Sequence, residues 1–344
     1  IKTGDASAVA SSAITASGNT GGIINIHHNI LTAEQSAAGT ANANFGLIAG
    51  YGSTSALIFD NNIINGGGDN PVLLELYTGP SSITNNTIYR GPEDAYAMDA
   101  IFIMNYGASN ITTPQIISGN TIDLGGGTVY TNGTRSAGIS FAAQYTGGAG
   151  PGGFTNVTIS NNIIQNLKTS RRGISLWDNS NGAGDITATI SGNVISAAAT
   201  FTGEFGIRTL GSITGTIVNN NTISGVTTAF LGATWPASGS PTGALVNYNS
   251  FAGSGTGINW TGGTGNVYGV FNWWGSATGP GAVGPGTGAL VTAMVDYCPW
   301  LDAAPPAGLP TSTAGVGLNI VQNTISGKYF CSIQAAIDDS ETIN

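Results

Sequence analysis

The sequence predicts an all-β solenoid, a right-handed parallel β-helix of about nine to ten coils. Three observations predict it. The composition is poor in charge and rich in turn residues, a short Asn-centred phrase recurs along the chain, and a second apolar run separates successive copies.

Composition narrows the class first. Of the 344 residues, 41% are hydrophobic and only 7% are charged, against about a quarter charged in ordinary globular proteins. The chain can bury a large core, but Asn, Thr, Ser and 54 Gly must cover its surface in place of charges. Those residues suit turns and strands and disfavour helices, so an all-α fold is excluded. Lys and Arg number 8 against 17 Asp and Glu, a net charge of −9. No basic cluster extends beyond Arg171-Arg172. Nucleic acid is therefore excluded as a partner, because its binding rests on phosphate neutralisation. No apolar run nears the ~20 residues that span a bilayer, so no membrane insertion is expected in this segment.

The phrase reads as an apolar residue, small or polar residues, Asn, then an alternating apolar pair. It appears as Ile26-His27-His28-Asn29-Ile30, as Ile58-Phe59-Asp60-Asn61-Asn62-Ile63 and as Ile83-Thr84-Asn85-Asn86-Thr87-Ile88. It returns at Ile117 to Ile122, Ile159 to Ile163, Ile190 to Val194 and Val218 to Ile223, and in degenerate form at Val246-Asn247-Tyr248-Asn249 and Phe271-Asn272-Trp273. The last asparagines are Asn29, Asn62, Asn86, Asn120, Asn162, Asn193, Asn221, Asn249 and Asn272, separated by 33, 24, 34, 42, 31, 28, 28 and 23 residues. Such steps fit one solenoid coil each, with the differences absorbed in surface loops. A β-propeller blade needs four strands and an even period of about 40 residues, which these steps do not supply.

A second apolar run lies between copies: Phe45 to Ala49, Val72 to Leu76, Ile101 to Met104, Gly138 to Phe141, Gly173 to Trp177, Gly206 to Leu210 and Gly257 to Trp260. Each coil thus carries at least two strands separated by Gly-rich turns. Asn marks the bend because it tolerates the left-handed backbone region and satisfies nearby backbone groups. Stacked at about 4.8 Å, each amide can bond to the next. The flanking Ile and Val residues, Ile163 among them, are expected to point inward as aliphatic columns, which β-branched shapes suit.

These phrases resemble the parallel β-helix repeats of the pectin-lyase-like superfamily. Phe271-Asn272-Trp273-Trp274-Gly275-Ser276, followed by Val295-Asp296-Tyr297-Cys298-Pro299-Trp300-Leu301, resembles the closing segment of β-helical domains in bacterial surface proteins. Trp273 and Trp274 are expected to plug the end of the solenoid, where an open edge would invite aggregation. Tyr329-Phe330-Cys331-Ser332-Ile333-Gln334-Ala335-Ala336-Ile337 resembles the opening of such a domain, with Ser332 as N-cap and Ile333, Ala336 and Ile337 on one helix face. The order of closure and opening implies a β-helix domain over 1–302 with its start missing, a Pro/Ala/Gly linker over 303–318, and the beginning of a following β-helix domain over 319–344. The resemblance therefore implies a non-enzymatic structural or adhesive module of a giant secreted or cell-surface bacterial protein, one that can form filaments. Its implied partners are the neighbouring β-helix domains of the same polypeptide and polysaccharides or other surface glycans. Cys298 and Cys331 allow a disulfide in an oxidising compartment and equally allow two thiols.

The alternative is a polysaccharide lyase or glycoside hydrolase of the same fold, since function lives in sites grafted on folds. Such enzymes need clustered carboxylates. Glu75 and Asp99 lie near neighbouring second strands with Glu93 and Asp94 between them, and Arg172, Asp178, Glu204 and Arg208 form a second polar group. Solvated loop charges and ion pairs account for both groups equally well, so no catalytic residue is assigned. His27 and His28, adjacent in a strand, face opposite sides and cannot readily share a metal, one being expected to lie exposed and one partly buried. No metal and no cofactor is expected, the Gly clusters lacking the Lys-Ser/Thr of a phosphate cradle. Aromatics follow the second strand at Tyr51, Tyr77, Tyr106, Tyr145 and Trp235. They form either a strip for sugar rings or an aromatic stack covering the core beneath a loop.

Overall fold

The computed structural model describes residues 2–3, 11–33, 44–50, 53–66, 70–89, 99–125, 136–144, 152–179, 185–198, 204–235, 239–311 and 320–339. The chain winds through three long parallel sheets. One coil runs Val72–Glu75 in sheet 1, Ser81–Thr84 in sheet 2 and Thr87–Tyr89 in sheet 3, then re-enters sheet 1 at Ile101–Asn105. Sheets 1, 2 and 3 hold 11, 10 and 8 strands, each stacked on its counterpart from the coil before. This is a parallel β-helix. The phrase that reads as one unit in sequence is split by its Asn between sheets 2 and 3.

Register explains the hydrophobic pattern. Three residues before each ladder Asn, a column from Ile26 and Phe59 through Ile83 and Ile117 to Val246 points inward, and two residues after it Leu31, Ile64, Ile88, Ile122, Ile164 and Ile195 do the same. Burying each such side chain contributes about 1.5–3 kcal/mol. The residue directly after Asn faces out. Ile163 is 44% exposed and Ile164 is fully buried, which corrects the expectation that Ile163 lies in the core. The corner shifts the alternation, because the inward Asn is followed by an outward residue.

The corner has two parts. The residue before the ladder Asn takes the left-handed conformation in every coil, with φ of 56° at His28, 53° at Asn61, 56° at Asn85, 68° at Gly119, 55° at Asn161 and 66° at Gly192. The left-handed conformation was expected of the ladder Asn, but its neighbour adopts it. At Gly119 an added Cβ would stand 2.5 Å from Asn85 Oδ1, the end of an exposed side chain that can move aside, and other coils carry Asn at this corner. The ladder Asn folds inward and bonds along the stack. From Asn29 to Asn249, each donates its backbone N–H and its Nδ2 to Oδ1 of the next at 2.9–3.0 Å, the last acceptor being Asn272. The second Nδ2 proton reaches a carbonyl of the previous coil, as from Asn162 to Ile117 and from Asn193 to Ile159, both at 3.0 Å.

Toward the C-terminus Trp260, Trp274 and Trp300 are buried within the core, and Trp274 packs edge-on against Phe251 at 5.4 Å. Trp273 is half-buried and rests on a separate cluster of Val270, Phe271 and Leu301. The tail then folds back. Val321–Gln322 pairs antiparallel with Tyr329–Phe330, and a helix follows at Ile333–Ile337, N-capped by Ser332, whose side chain accepts from Ala335 N. Of its apolar face only Ala336 is buried, while Ile333 and Ile337 are 68% and 53% exposed. Cys298 and Cys331 form a disulfide with Cα atoms 5.7 Å apart. Residues 312–318 of the linker, and 319 after it, lie outside the described residues. Among the described residues no helix is long and apolar enough to cross a membrane.

Candidate functional site

From Val72–Glu75 to Phe205–Leu210, sheet 1 is largely buried on both faces. Its inner face is aliphatic, with Ile101, Ile139, Ile174 and Ile207 in register. Its outer face carries two columns. One runs Leu73, Phe102, Ser140, Ser175, Arg208 and Leu231, the other Glu75, Met104, Ala142, Trp177, Leu210 and Ala233. Leu73, Phe102, Ala142, Trp177 and Leu210 form an apolar cluster on this face, with Phe102 and Trp177 stacked at 6.4 Å and 7°.

Beside that cluster stands a buried charged group. Asp99 Oδ1 accepts from the backbone N–H of Ser136 at 2.9 Å and of Ala137 at 2.6 Å, tying its coil to the next. The Asp99 backbone N–H donates to Asn70 Oδ1 at 3.2 Å. Arg208 donates to Ser175 Oγ from Nε at 3.2 Å and from Nη2 at 2.9 Å. Burial pushes the Arg208 guanidinium down and the Arg172 charge adds to this, while Asp99 opposes both, leaving it at about 9. Burial likewise lowers Arg172 and Asp99 raises it. A guanidinium is cationic under ordinary conditions, and buried without a counter-charge it would be costly. Asp99 supplies the negative charge that opposes both shifts.

The remaining carboxylates serve the backbone or its neighbours. Asp178 Oδ2 accepts from Ser212 N at 3.3 Å, and Glu204 Oε2 accepts from Thr227 Oγ1 at 3.3 Å. Asp123, which the sequence did not single out, accepts from Gly125 N, Asn166 Nδ2 and Gln165 Nε2. Arg171, read in the sequence only as half of a basic pair, donates from Nη1 to the Leu124 carbonyl. Glu93 and Asp94 lie outside the described residues. His27 and His28 are both exposed, so the expected partial burial of one is corrected, and their Nδ1 atoms lie 2.9 Å apart. Among the described residues no three of His, Cys, Asp and Glu converge as metal ligands.

No family model, curated protein or solved structure matches the chain.

The aromatic strip is placed only in part. Tyr51 and Tyr145 lie outside the described residues. Tyr77 is 1% exposed and belongs to the core, its hydroxyl donating to the Ser55 carbonyl at 2.6 Å. It therefore offers no face to a ligand, because a backbone acceptor within reach lets the whole ring be buried. Tyr106 and Trp235 are half-buried, and Trp235 packs on the apolar cluster of sheet 1. The buried charges of sheet 1 gave little signal in sequence, since their proximity depends on coil register across long loops.

Proposed function

We propose that the chain is a non-enzymatic structural or adhesive module, a stiff β-helical rod segment of a giant secreted or cell-surface bacterial protein of the filament-forming kind. The observation that carries this reading is the unbroken asparagine column, in which each coil is fastened to the next by two hydrogen bonds onto one buried oxygen. The described carboxylates support it, since Asp99 and Asp178 accept from backbone N–H groups, which secures coils. The Cys298–Cys331 disulfide supports an oxidising, extracellular setting at the bacterial surface. In this reading the tail over 319–344 begins a neighbouring β-helix domain, and half-buried Trp235, packed on the apolar cluster, and half-buried Tyr106 offer contacts to surface glycans.

A second reading, a polysaccharide lyase or glycoside hydrolase, is favoured by one feature alone, the buried charges of Asp99, Arg172 and Arg208, which act on one another electrostatically. The test is a panel of plant, algal and bacterial glycans. Binding without release of reducing or unsaturated ends supports the adhesive module. Turnover that disappears in Asp99→Asn or Asp178→Asn, with the melting transition retained, replaces it with the enzyme.

A further inference from the structure

At the C-terminal end a cleft of about 590 Å³ opens between the last strands of sheet 2 and the folded-back tail. Its walls include Tyr268, Asp296, Lys328, Phe330, Asp338 and Asp339. Three carboxylates thus meet one ammonium. Lys328 Nζ lies 3.3 Å from Asp339 Oδ1, Asp338 Oδ1 accepts from Gln334 Nε2 at 2.7 Å, and Asp296 Oδ1 accepts from Asn266 Nδ2 at 3.0 Å. Asp339 Oδ2 is buried and accepts no hydrogen bond, and that side chain is only 9% exposed. A buried carboxylate oxygen left without a donor costs free energy that an incoming cation would recover.

The electrostatics agree. Burial raises the Asp296 carboxyl above its usual range; the Asn266 bond and Lys328 oppose this, and the Asp339 charge adds to it. By count of lining side chains, three carboxyl groups share the cleft with one ammonium. The aromatic part of the wall selects among cations. Tyr268 and Phe330 are among the lining residues, and the Tyr268 hydroxyl, which accepts from Tyr329 N at 2.7 Å, keeps its own proton to donate. No three ligands among the described residues converge on a point as a bare metal ion requires. A cation on an apolar stem fits both the carboxylates and the rings.

We propose that this cleft is a binding site for an alkylammonium group, the chemistry of a lysine side chain on a partner or of a free amine. The tail makes one wall, and the Cys298–Cys331 disulfide holds that wall in place beside a smaller cavity of about 200 Å³. The proposal stands apart from the rod or enzyme reading, as it uses none of the sheet 1 residues.

The probe is n-butylammonium, titrated into the intact oxidised chain at low ionic strength and followed by calorimetry or NMR, with 1-butanol as the uncharged control. Saturable binding of the amine without binding of the alcohol is expected, and Asp296→Asn should weaken it about tenfold, as loss of one close charge partner does. Asp339→Asn should weaken it as well, but that change also frees Lys328, so the Asp296 arm decides. Reduction of the disulfide should abolish binding while the solenoid's melting transition persists. Equal binding of 1-butanol, unchanged affinity in a folded Asp296→Asn variant, tighter binding of Ca²⁺ than of the amine, or no saturation below about 100 mM amine would each overturn the site.

Discussion

Asn120 sends both its backbone N–H, at 3.0 Å, and its side-chain amide, at 2.9 Å, to a single atom, Oδ1 of Asn162, although 42 residues separate them. Asn162 repeats the act toward Asn193 and also bonds the Ile117 carbonyl, so one side chain fastens three coils.

Replacing Asn162 with Leu takes the acceptor from the Asn120 backbone N–H and from one of the bonds of its Nδ2, and removes the donor of the Ile117 carbonyl. Each orphaned group costs about 1–3 kcal/mol, so Asn162→Leu should lower unfolding free energy by about 2–5 kcal/mol. Urea denaturation followed by circular dichroism measures it. A loss within experimental error would mean that the column adds little beyond the aliphatic core.

Neighbouring isoleucines should respond oppositely to charge. Ile164→Asp places an unpaired carboxylate in the core and should cost at least about 3 kcal/mol, whereas Ile163→Asp on the outer face should stay within about 0.5 kcal/mol. Paired denaturation curves check the contrast, and equal effects would refute the facing assigned to sheet 3.

Gly173 admits no side chain. A Cβ there would stand 2.6 Å from both the Gly206 carbonyl oxygen and Ile195 Cγ2, so Gly173→Ala should destabilise by about 1–3 kcal/mol. A melting temperature equal to that of the parent would show that the coils part more readily than their spacing suggests.

Acid should weaken the loop at Asp123. Burial favours the neutral acid there, but the bonds from Asn166, Gly125 and Gln165 outweigh it and hold the carboxyl below its usual range. A depressed folded-state pKa contributes stability above the unfolded value of about 3.9, and that contribution fades as pH falls through the folded value. Solvent screening keeps it below about 1 kcal/mol. Denaturation midpoints across acidic pH should fall less steeply in Asp123→Asn than in the parent, and parallel slopes would contradict the assignment.

Removing the bridge should loosen the tail. Cys298→Ser with Cys331→Ser opens a loop whose ends are 33 residues apart, a separation for which chain entropy alone is worth about 3–4 kcal/mol. Hydrogen exchange should rise over residues 320–339 and stay unchanged at Ile164 and Ile190. Uniform acceleration would instead mean that tail and solenoid unfold together.

The column of asparagines and the aliphatic positions three before it were legible in sequence because both repeat with the coil. The parity after the corner was not, since Ile163 and Ile164 are both apolar and give no contrast between faces. Burial of Tyr77 depended on the Ser55 carbonyl lying one coil away, a relation fixed only once loop lengths are known. The same holds for Asp99 with Ser136 and Ala137, which meet across 37 and 38 residues. Two cysteines in a sequence state no distance, so the bridge needed coordinates. Chemistry was the least legible layer, because sparse charges carry no period.

Because every amide in the asparagine row passes its protons forward and receives them from behind, the row is a vector. A unit inverted end for end would set amine against amine, so growth of such a stack has one permitted sense, and any join between segments inherits that arrow.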